Sequence, residues 1–351
     1  MVKQALADTT NRDPKKLRSF LPRLMRGENL SRAEAAQLLD ALLDPEATDS
    51  QIASALIALR LKGETFEELA GLAEAMRERA VRITSRHACF IDTAGTGSSR
   101  VKTFNVSTAA AFVIAGAGLA VAKHGNRAAS SRCGSADVLA VLGVNVSASA
   151  EVSEKCLNEI GICFMFAPLY HGATARVASV RRELGVQTTF NLLGPLTNPA
   201  HAPRQIIGVS NRDSVEPLAS ALALLGTERA WVVHGADGLD EVTITDKTFV
   251  AEARHSEVRR FEISPEDFGF ERIALDGLSS GDAEVNAGVI RAVLSGERQD
   301  AARALVIVNA ATALRVGGVA SDLREGTQLA AQSIDSGEAQ KKLDQLVRAT
   351  N

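Results

Sequence analysis

Between Gly95 and Asp137 the chain carries two glycine-rich polar loops, GTGSSRVKTFNVST and KHGNRAASSRCGSAD, close enough to belong to one supersecondary unit. Each follows a short apolar run and leads into another of helical character. Backbone N–H groups at a helix start, beside glycines that let a ligand reach the main chain, suit a phosphate-bearing substrate. Two such loops side by side fit more than one phosphate. The first loop is neither of the common phosphate motifs. Val101 stands where a P-loop needs Gly before Lys102-Thr103, and Arg100 replaces the third glycine of a dinucleotide fingerprint. Ser107 and Thr108 are expected to cap the helix of the run AAAFVIAGAG. The second loop gathers Lys123, His124, Asn126, Arg127, Ser130, Ser131, Arg132 and Ser135 around Gly125 and Gly134. Ammonium and guanidinium groups among hydroxyls make a polyanion cradle. Its place after the strand LAVA and before the helix DVLAVLGV puts it at a strand's carboxyl end, where parallel α/β sheets bind ligands.

A third feature, Asp240-Glu241, follows the apolar strand AWVVHG by a short glycine-containing turn. Adjacent carboxylates on a loop are usually only solvated. After a strand end they fall on the same rim as the two loops, and Mg²⁺ binds through one or two carboxylates plus substrate phosphates. His87, His201 and His255 lack metal-like spacing, and Trp231 in its apolar strand is expected in the core.

These groups need a scaffold of two kinds. Residues from about 15 to 80 show helix-period apolar positions and two capping boxes, Ser31 with Glu34 and Thr65 with Glu68, and Asp49 is placed to cap a further segment. Four helices and no strands are expected there. Beyond Arg82, short β-branched runs alternate with helical ones, the pattern of a sheet with crossover helices. Strands are expected over 88–93, 119–123, 206–210 and 230–234, with antiparallel hairpins between 241 and 263. Helices are expected over 107–117, 135–142, 151–159, 173–184, 215–225 and from about 283 onward. FNLLGPLTNP, from Phe190 to Pro199, reads as a turn-rich loop that shapes or supports a pocket. The fold class is therefore α/β: a small all-helical domain, 1–82, and a larger α/β domain, 83–351, with a central, mostly parallel sheet flanked by helices. Part of the 170–190 region is expected to pack with the helical domain.

The chain has 351 residues, 46% of them hydrophobic, enough for a sizeable core, and a net charge of −3. Phosphate affinity must come from local clustering, and nucleic-acid binding is disfavoured. Cys89, Cys133, Cys156 and Cys163 show no CxxC spacing and read as reduced thiols. The first residues lack the apolar core of a signal peptide and no run is long enough to span a bilayer, so a soluble, cytoplasmic protein is expected.

The blocks GTGxxxxxTFNVST, KHGNRAxSSxxGSADVL, VRRELGVQTTFNLLGPLTNP, HGxDGLDE and NAATALRVGG run in order over nearly the whole chain. In this it resembles the anthranilate phosphoribosyltransferases, a tryptophan-pathway family related to the pyrimidine nucleoside phosphorylases. The resemblance implies transfer of the phosphoribosyl group from 5-phosphoribosyl 1-diphosphate (PRPP) to the amine of anthranilate. It places Gly95, Ser98, Ser99, Thr103, Asn105, Val106, Ser107 and Thr108 on PRPP, with the second loop from Lys123 through His124, Gly125, Asn126, Arg127, Ala128, Ala129 and Ser130 to Ser131, and Ser135 at the edge. Gly95, Asn126 and Arg181 match positions that contact anthranilate. Asp240 and Glu241 match a magnesium-holding pair, Ser107 matches a ligand of a second Mg²⁺ ion, and a homodimer through the helical domain is implied. No covalent nucleophile is needed; His124 is the nearest candidate for an acid or base, with the pocket-lining reading favoured over that role. Departures are Ser98, Ser99 and Arg100 in place of Gly, Asp and Gly, and Gly172 in place of Pro after His171. They leave a different acceptor, a nucleoside phosphorylase, or a non-catalytic polyanion-binding relative as alternatives.

Overall fold

The computed structural model describes residues 16–97, 99, 101, 103–128, 132–275, 278 and 280–351. Four helices come first: α1 (Lys16–Met25), α2 (Arg32–Leu43), α3 (Asp49–Lys62) and α4 (Phe66–Glu78). The two expected capping boxes close as drawn, Ser31 with Glu34 and Thr65 with Glu68. The cap of α3 is Thr48, not Asp49, which is already the first helical residue. Thr48 can pair reciprocally with Gln51 three residues on, whereas the side chain of Asp49 lies inside the first turn.

The larger unit follows as β1 (Phe90–Gly95), α5 (Val106–Gly116), β2 (Ala120–Gly125), α6 (Ser135–Val141), α7 (Ala150–Ile160) and β3 (Ile162–Phe166). Then come α8 (Ala167–Tyr170), α9 (Ala175–Leu184), α10 (Phe190–Leu196), β4 (Arg204–Gly208), α11 (Val215–Leu224) and β5 (Arg229–Gly235). The hairpin β6 (Thr248–Arg254) and β7 (Glu257–Ile263) precedes α12 (Ala283–Leu294), α13 (Ala301–Val316), α14 (Leu323–Asp335) and α15 (Glu338–Thr350). The strands form one seven-stranded sheet in the order β3-β2-β1-β4-β5-β6-β7. β1 to β5 are parallel, and the hairpin adds two antiparallel strands at one edge. β3 was absent from the sequence reading because ICFMF shows no alternation: it is apolar nearly throughout, as a strand covered on both faces is.

Side-chain alternation divides the core. Ile206, Trp231, Val233 and Val250 join α5, α13 and α14 on one face of the sheet. Ile207, Val209, Val232 and Ala251 point the other way, into a cluster shared with α11, α10, α9 and the helical block. The helical unit thus rests on the β4–β6 face through α11, and α9 and α10 pack against α3 and α4. Arg176 of α9 pairs with Asp49, and Arg77 of α4 donates to the Leu196 carbonyl at 2.6 Å.

β1 and β2 pair only at Phe90–Ala120 and Ile91–Val121. Beyond that they part, and the carboxyl ends of β1, β2, β4 and β5 open onto a cavity bounded on its far side by α4, α9 and α10.

Candidate active site

The cavity holds about 440 Å³ and touches both glycine-rich loops, the acidic pair and Arg181. Lys123 lies on its floor, 4% exposed. Its ammonium donates to the Thr93 carbonyl, to Thr93 Oγ1 at 3.3 Å and to Ser107 Oγ at 3.4 Å. Burial lowers its pKa, opposed by the carboxylates of Asp92 and Glu241. Glu241 is pushed up to about 8 by burial and the neighbouring Asp240 carboxylate, while the Lys123 charge and the amide and hydroxyl of Ser107 pull it down. Among the described residues, Asp92 and Glu241 face the one ammonium and Asp240 adds a third carboxylate beside Glu241, which leaves this end of the cavity short of positive charge.

Backbone fit places these groups. A Cβ at Gly208 would come within 1.7 Å of the Asp240 carbonyl oxygen, so β4 reaches the acidic pair only as glycine. Ser99 Oγ donates to the Gly238 carbonyl at 2.7 Å, docking the first loop on the turn before the pair. In the second loop Asp137 accepts from the amides of Ala128 and Gly134, both at 2.9 Å, and pairs with Arg127. Beneath the floor, where β1 and β2 separate, Asp92 is fully buried. It accepts from the His124 amide at 3.2 Å and from Asn198 Nδ2 at 2.7 Å, and Asn198 also donates to the Ala122 carbonyl. Burial raises Asp92 to about 6, with Lys123 opposing. These side chains replace the missing ladder bonds and hold Lys123 and His124 at a splayed strand end.

Among the described residues, the opposite end is neutral except for one cation, Arg181. His124 and His171 meet edge to face with ring centroids 5.2 Å apart. Burial holds them near 3 and 4 respectively, so both imidazoles are uncharged at neutral pH. His124 Nδ1 contacts the Gly194 carbonyl at 3.2 Å, and its buried Nε2 has no partner. Arg181 of α9 bonds Asn191 Oδ1 at 3.2 Å and lies 5.4 Å from the centre of the Phe190 ring, with its Nε unpartnered. Burial lowers its pKa, yet a guanidinium stays charged. Met76, Phe190 and Pro195 complete an apolar lining.

Comparison with known proteins agrees with this geometry. Residues 87–340 match the glycosyl transferase family a/b domain, and residues 18–80 the helical bundle domain of the same family. The anthranilate phosphoribosyltransferase of Moorella thermoacetica is 50% identical over 331 residues, 94% of this chain and 97% of that protein. That of Anaeromyxobacter dehalogenans strain 2CP-C is 53% identical over 330 residues, again 94% and 97%. The chain belongs to the anthranilate phosphoribosyltransferase family. The crystal structure of the Thermus thermophilus member superposes with a TM-score of 0.88 at 40% identity, covering 94% of this chain and 98% of that one. A Saccharomyces cerevisiae member in complex with PRPP and Mg superposes with a TM-score of 0.87 at 28% identity, covering 95% and 97%.

Of the residues singled out by sequence, Gly95, Ser99, Thr103, Asn105, Ser107, Thr108, Lys123, His124, Gly125, Asn126, Arg127, Ala128, Ser135, Arg181, Asp240 and Glu241 line the one cavity. The Val106 side chain turns into the core instead. Ser98, Arg100, Lys102, Ala129, Ser130 and Ser131 lie outside the described residues. Ser107 and Thr108 are not caps. The helix begins at Val106 with Asn105 at the cap position, and the Asn105 side chain donates to the Cys133 carbonyl rather than to its own helix. Ser107 is thereby left to face Lys123. FNLLGPLTNP is not a turn-rich loop, because Phe190–Leu196 forms α10. Its residues Phe190, Asn191, Gly194 and Pro195 line the cavity. Asp92 and Asn198 were missed, although a lone Asp in the apolar strand FIDTAG was a visible signal.

Proposed function

We propose that the protein transfers the phosphoribosyl group of PRPP to the amine of anthranilate, giving N-(5-phosphoribosyl)anthranilate and diphosphate, the second step of tryptophan synthesis from chorismate. One observation carries this reading: a single cavity joins a polyanion-type end to a mostly neutral, aromatic-lined end with one guanidinium. PRPP is assigned to Gly95, Ser98, Ser99, Thr103, Asn105 to Thr108, the Lys123–Ser131 loop and Ser135, and anthranilate to Gly95, Asn126 and Arg181. The Arg181 fork suits the anthranilate carboxylate.

Mg²⁺ is the proposed cofactor. Asp240, Glu241 and the Ser107 hydroxyl fit it: two carboxylates and a hydroxyl in a field short of positive charge are the sparse oxygen set Mg²⁺ takes beside phosphates. Two ions per subunit are proposed, one on the acidic pair and one with Ser107. When bound, Mg²⁺ draws charge from the phosphate oxygens. Lys123 and the loop amides receive the charge that develops on diphosphate as the C1–O bond breaks and C1 gains oxocarbenium character. The anthranilate nitrogen forms the new C1–N bond and then loses its surplus proton to solvent. His124 and His171, held near 3 and 4 by burial, are too weakly basic to take up the proton that the amine loses, and they orient the acceptor instead. Holding both substrates in one cavity accounts for much of the rate.

A cytoplasmic homodimer completes the proposal. Met25 and Leu61, 79% and 82% exposed, border an apolar hollow between α1 and α3 on the helical unit, a face of the kind a second copy covers. We place the boundary between the two domains at residues 82 and 83, where helices give way to the sheet. The deciding experiment follows anthranilate fluorescence in purified protein with PRPP, with and without Mg²⁺. Magnesium-dependent loss of fluorescence is expected; no loss in protein that binds PRPP by calorimetry would mean a different acceptor.

A further inference from the structure

The acidic pair stands on a stretch without ladder hydrogen bonds. β5 ends at Gly235 and β6 begins at Thr248, and Asp240 to Asp246 between them belong to neither strand nor helix. Before the pair, the turn is closed by Gly235 and Leu239 and carries the docked Ser99. Asp240 itself is pressed against Gly208. After the pair, the first anchored residue is Val242, and its anchor is a side chain from far along the sequence.

That side chain is Asn309. Its Oδ1 accepts from the Val242 amide at 2.9 Å, and its Nδ2 donates to the Val242 carbonyl at 2.9 Å. The same Nδ2 donates to the Leu305 carbonyl one turn back at 2.8 Å, which locks the side chain on its helix. One primary amide thus makes to Val242 both bonds that a neighbouring strand would make. Asn309 is 5% exposed and Val242 fully buried, so neither bond exchanges readily with water. The support is rigid: fourteen of the sixteen residues of α13 are buried, and Gly326 of α14 lies against Ala311 so closely that a Cβ would come 2.7 Å from its carbonyl oxygen. Asn309 does not line the cavity.

We propose that Asn309 is the positioning residue of the acidic pair, fixing through Val242 the direction in which Asp240 and Glu241 present their carboxylates to a divalent cation bound with the donor diphosphate. This deepens the proposed function and rests on it. The pair is held on one side by the close approach of Gly208 and on the other by the Asn309 amide. Removing the amide frees the chain next to Glu241 without touching either end of the cavity. Groups that orient metal ligands from behind typically cost about 10- to 100-fold in metal affinity when lost.

The test uses Mn²⁺ as a spectroscopic substitute for Mg²⁺. Protein-bound Mn²⁺ is titrated by electron paramagnetic resonance in the presence of PRPP, and anthranilate binding is measured separately by fluorescence. Asn309→Leu, close in volume, is expected to weaken Mn²⁺ binding about 10- to 100-fold and to raise the KM for PRPP, with the anthranilate dissociation constant unchanged. Asn309→Gln keeps the amide but moves it by one methylene, and a smaller shift of the same sign is expected. It also decides the matter if the leucine variant does not fold. Wild-type binding that is abolished in Asp240→Asn/Glu241→Gln but unaltered in both Asn309 variants would overturn this inference alone. Wild-type protein that holds no Mn²⁺ with PRPP would overturn the metal assignment and this inference together. Equal losses of Mn²⁺ and anthranilate affinity would reduce Asn309 to a general structural residue.

Discussion

The two ends of the cavity are made differently. The charged end is built from strand tips and the loops that leave them: Thr93 on β1, Lys123 on β2 and the acidic pair beyond β5. The neutral end is built mainly from helices, with Met76 on α4, Arg181 on α9 and Phe190 and Pro195 on α10; His124 comes from β2 and His171 from the stretch between α8 and α9. At the first end, hydrogen bonds and close backbone approach hold opposite charges at fixed separation, which lets the site meet a developing charge without reorganising. At the second, burial keeps two imidazoles neutral beside a single guanidinium, which favours a flat aromatic acid over a second polyanion. On the proposed assignment, the contrast places donor handling in the sheet and acceptor choice in the packing of α9 and α10 against the helical unit.

The largest effect is expected from neutralising the charged end. Asp240→Asn with Glu241→Gln should leave the circular dichroism spectrum intact and lower magnesium-dependent kcat/KM for PRPP about 10³-fold or more, read in the fluorescence assay. Unchanged turnover would remove the metal assignment. At the other end, Arg181→Ala should raise the KM for anthranilate roughly 10- to 100-fold, the loss of a charge-assisted hydrogen bond, with the KM for PRPP unmoved. A change in both constants would show that the ends are not separable.

Protonation sharpens the contrast, because the two ends carry opposite signs. His171 is depressed from 6.5 to about 4, so the unfolded chain takes up a proton that the folded protein refuses. Its contribution to stability is present above pH 6.5 and is lost as pH falls toward 4. Asp92 is raised from 3.8 to about 6, so the folded protein retains a proton that the unfolded chain gives up, and stability declines as pH rises from about 4 to 6. Urea midpoints between about pH 4 and 7 should show the wild type losing ground to His171→Gln on acidification and to Asp92→Asn on alkalinisation. Slopes of the same sign in both comparisons would contradict this assignment. The smallest effect on catalysis is expected at the hollow of the helical unit. Leu61→Glu should shift sedimentation toward a monomer while kcat changes within about twofold, as for a surface site distant from the chemistry.

Much of the charged end was legible because its chemistry is local. Glycines, caps and polar residues bunch in contiguous loops, and each loop follows an apolar run that can only be a buried strand. Lys123 and the acidic pair could therefore be singled out from local pattern, whereas Gly95 and Ser107 took their site roles from the family resemblance, the pattern alone reading Ser107 as a cap. Arg181 was named from the family resemblance, while its residue pattern, two arginines on a helix, left a surface position equally open. α10 was misread because GP and NP signal turns, yet tertiary contacts from Arg77 and Gln205 to its carbonyls hold the segment helical. Asn105 escaped notice as the cap position because its side chain answers to Cys133 and Asn286, contacts made across long stretches of chain.

Composition and periodicity alone were enough for the helical block and the alternating α/β unit, since these depend on residues within a few positions of one another. Which face of α9 meets the cavity, how Asp92 and Asn198 fill the gap between β1 and β2, and which residue holds Val242 were decided only in three dimensions. Each depends on groups distant in sequence meeting at hydrogen-bonding distance after the core has closed, and local pattern carries no record of such meetings.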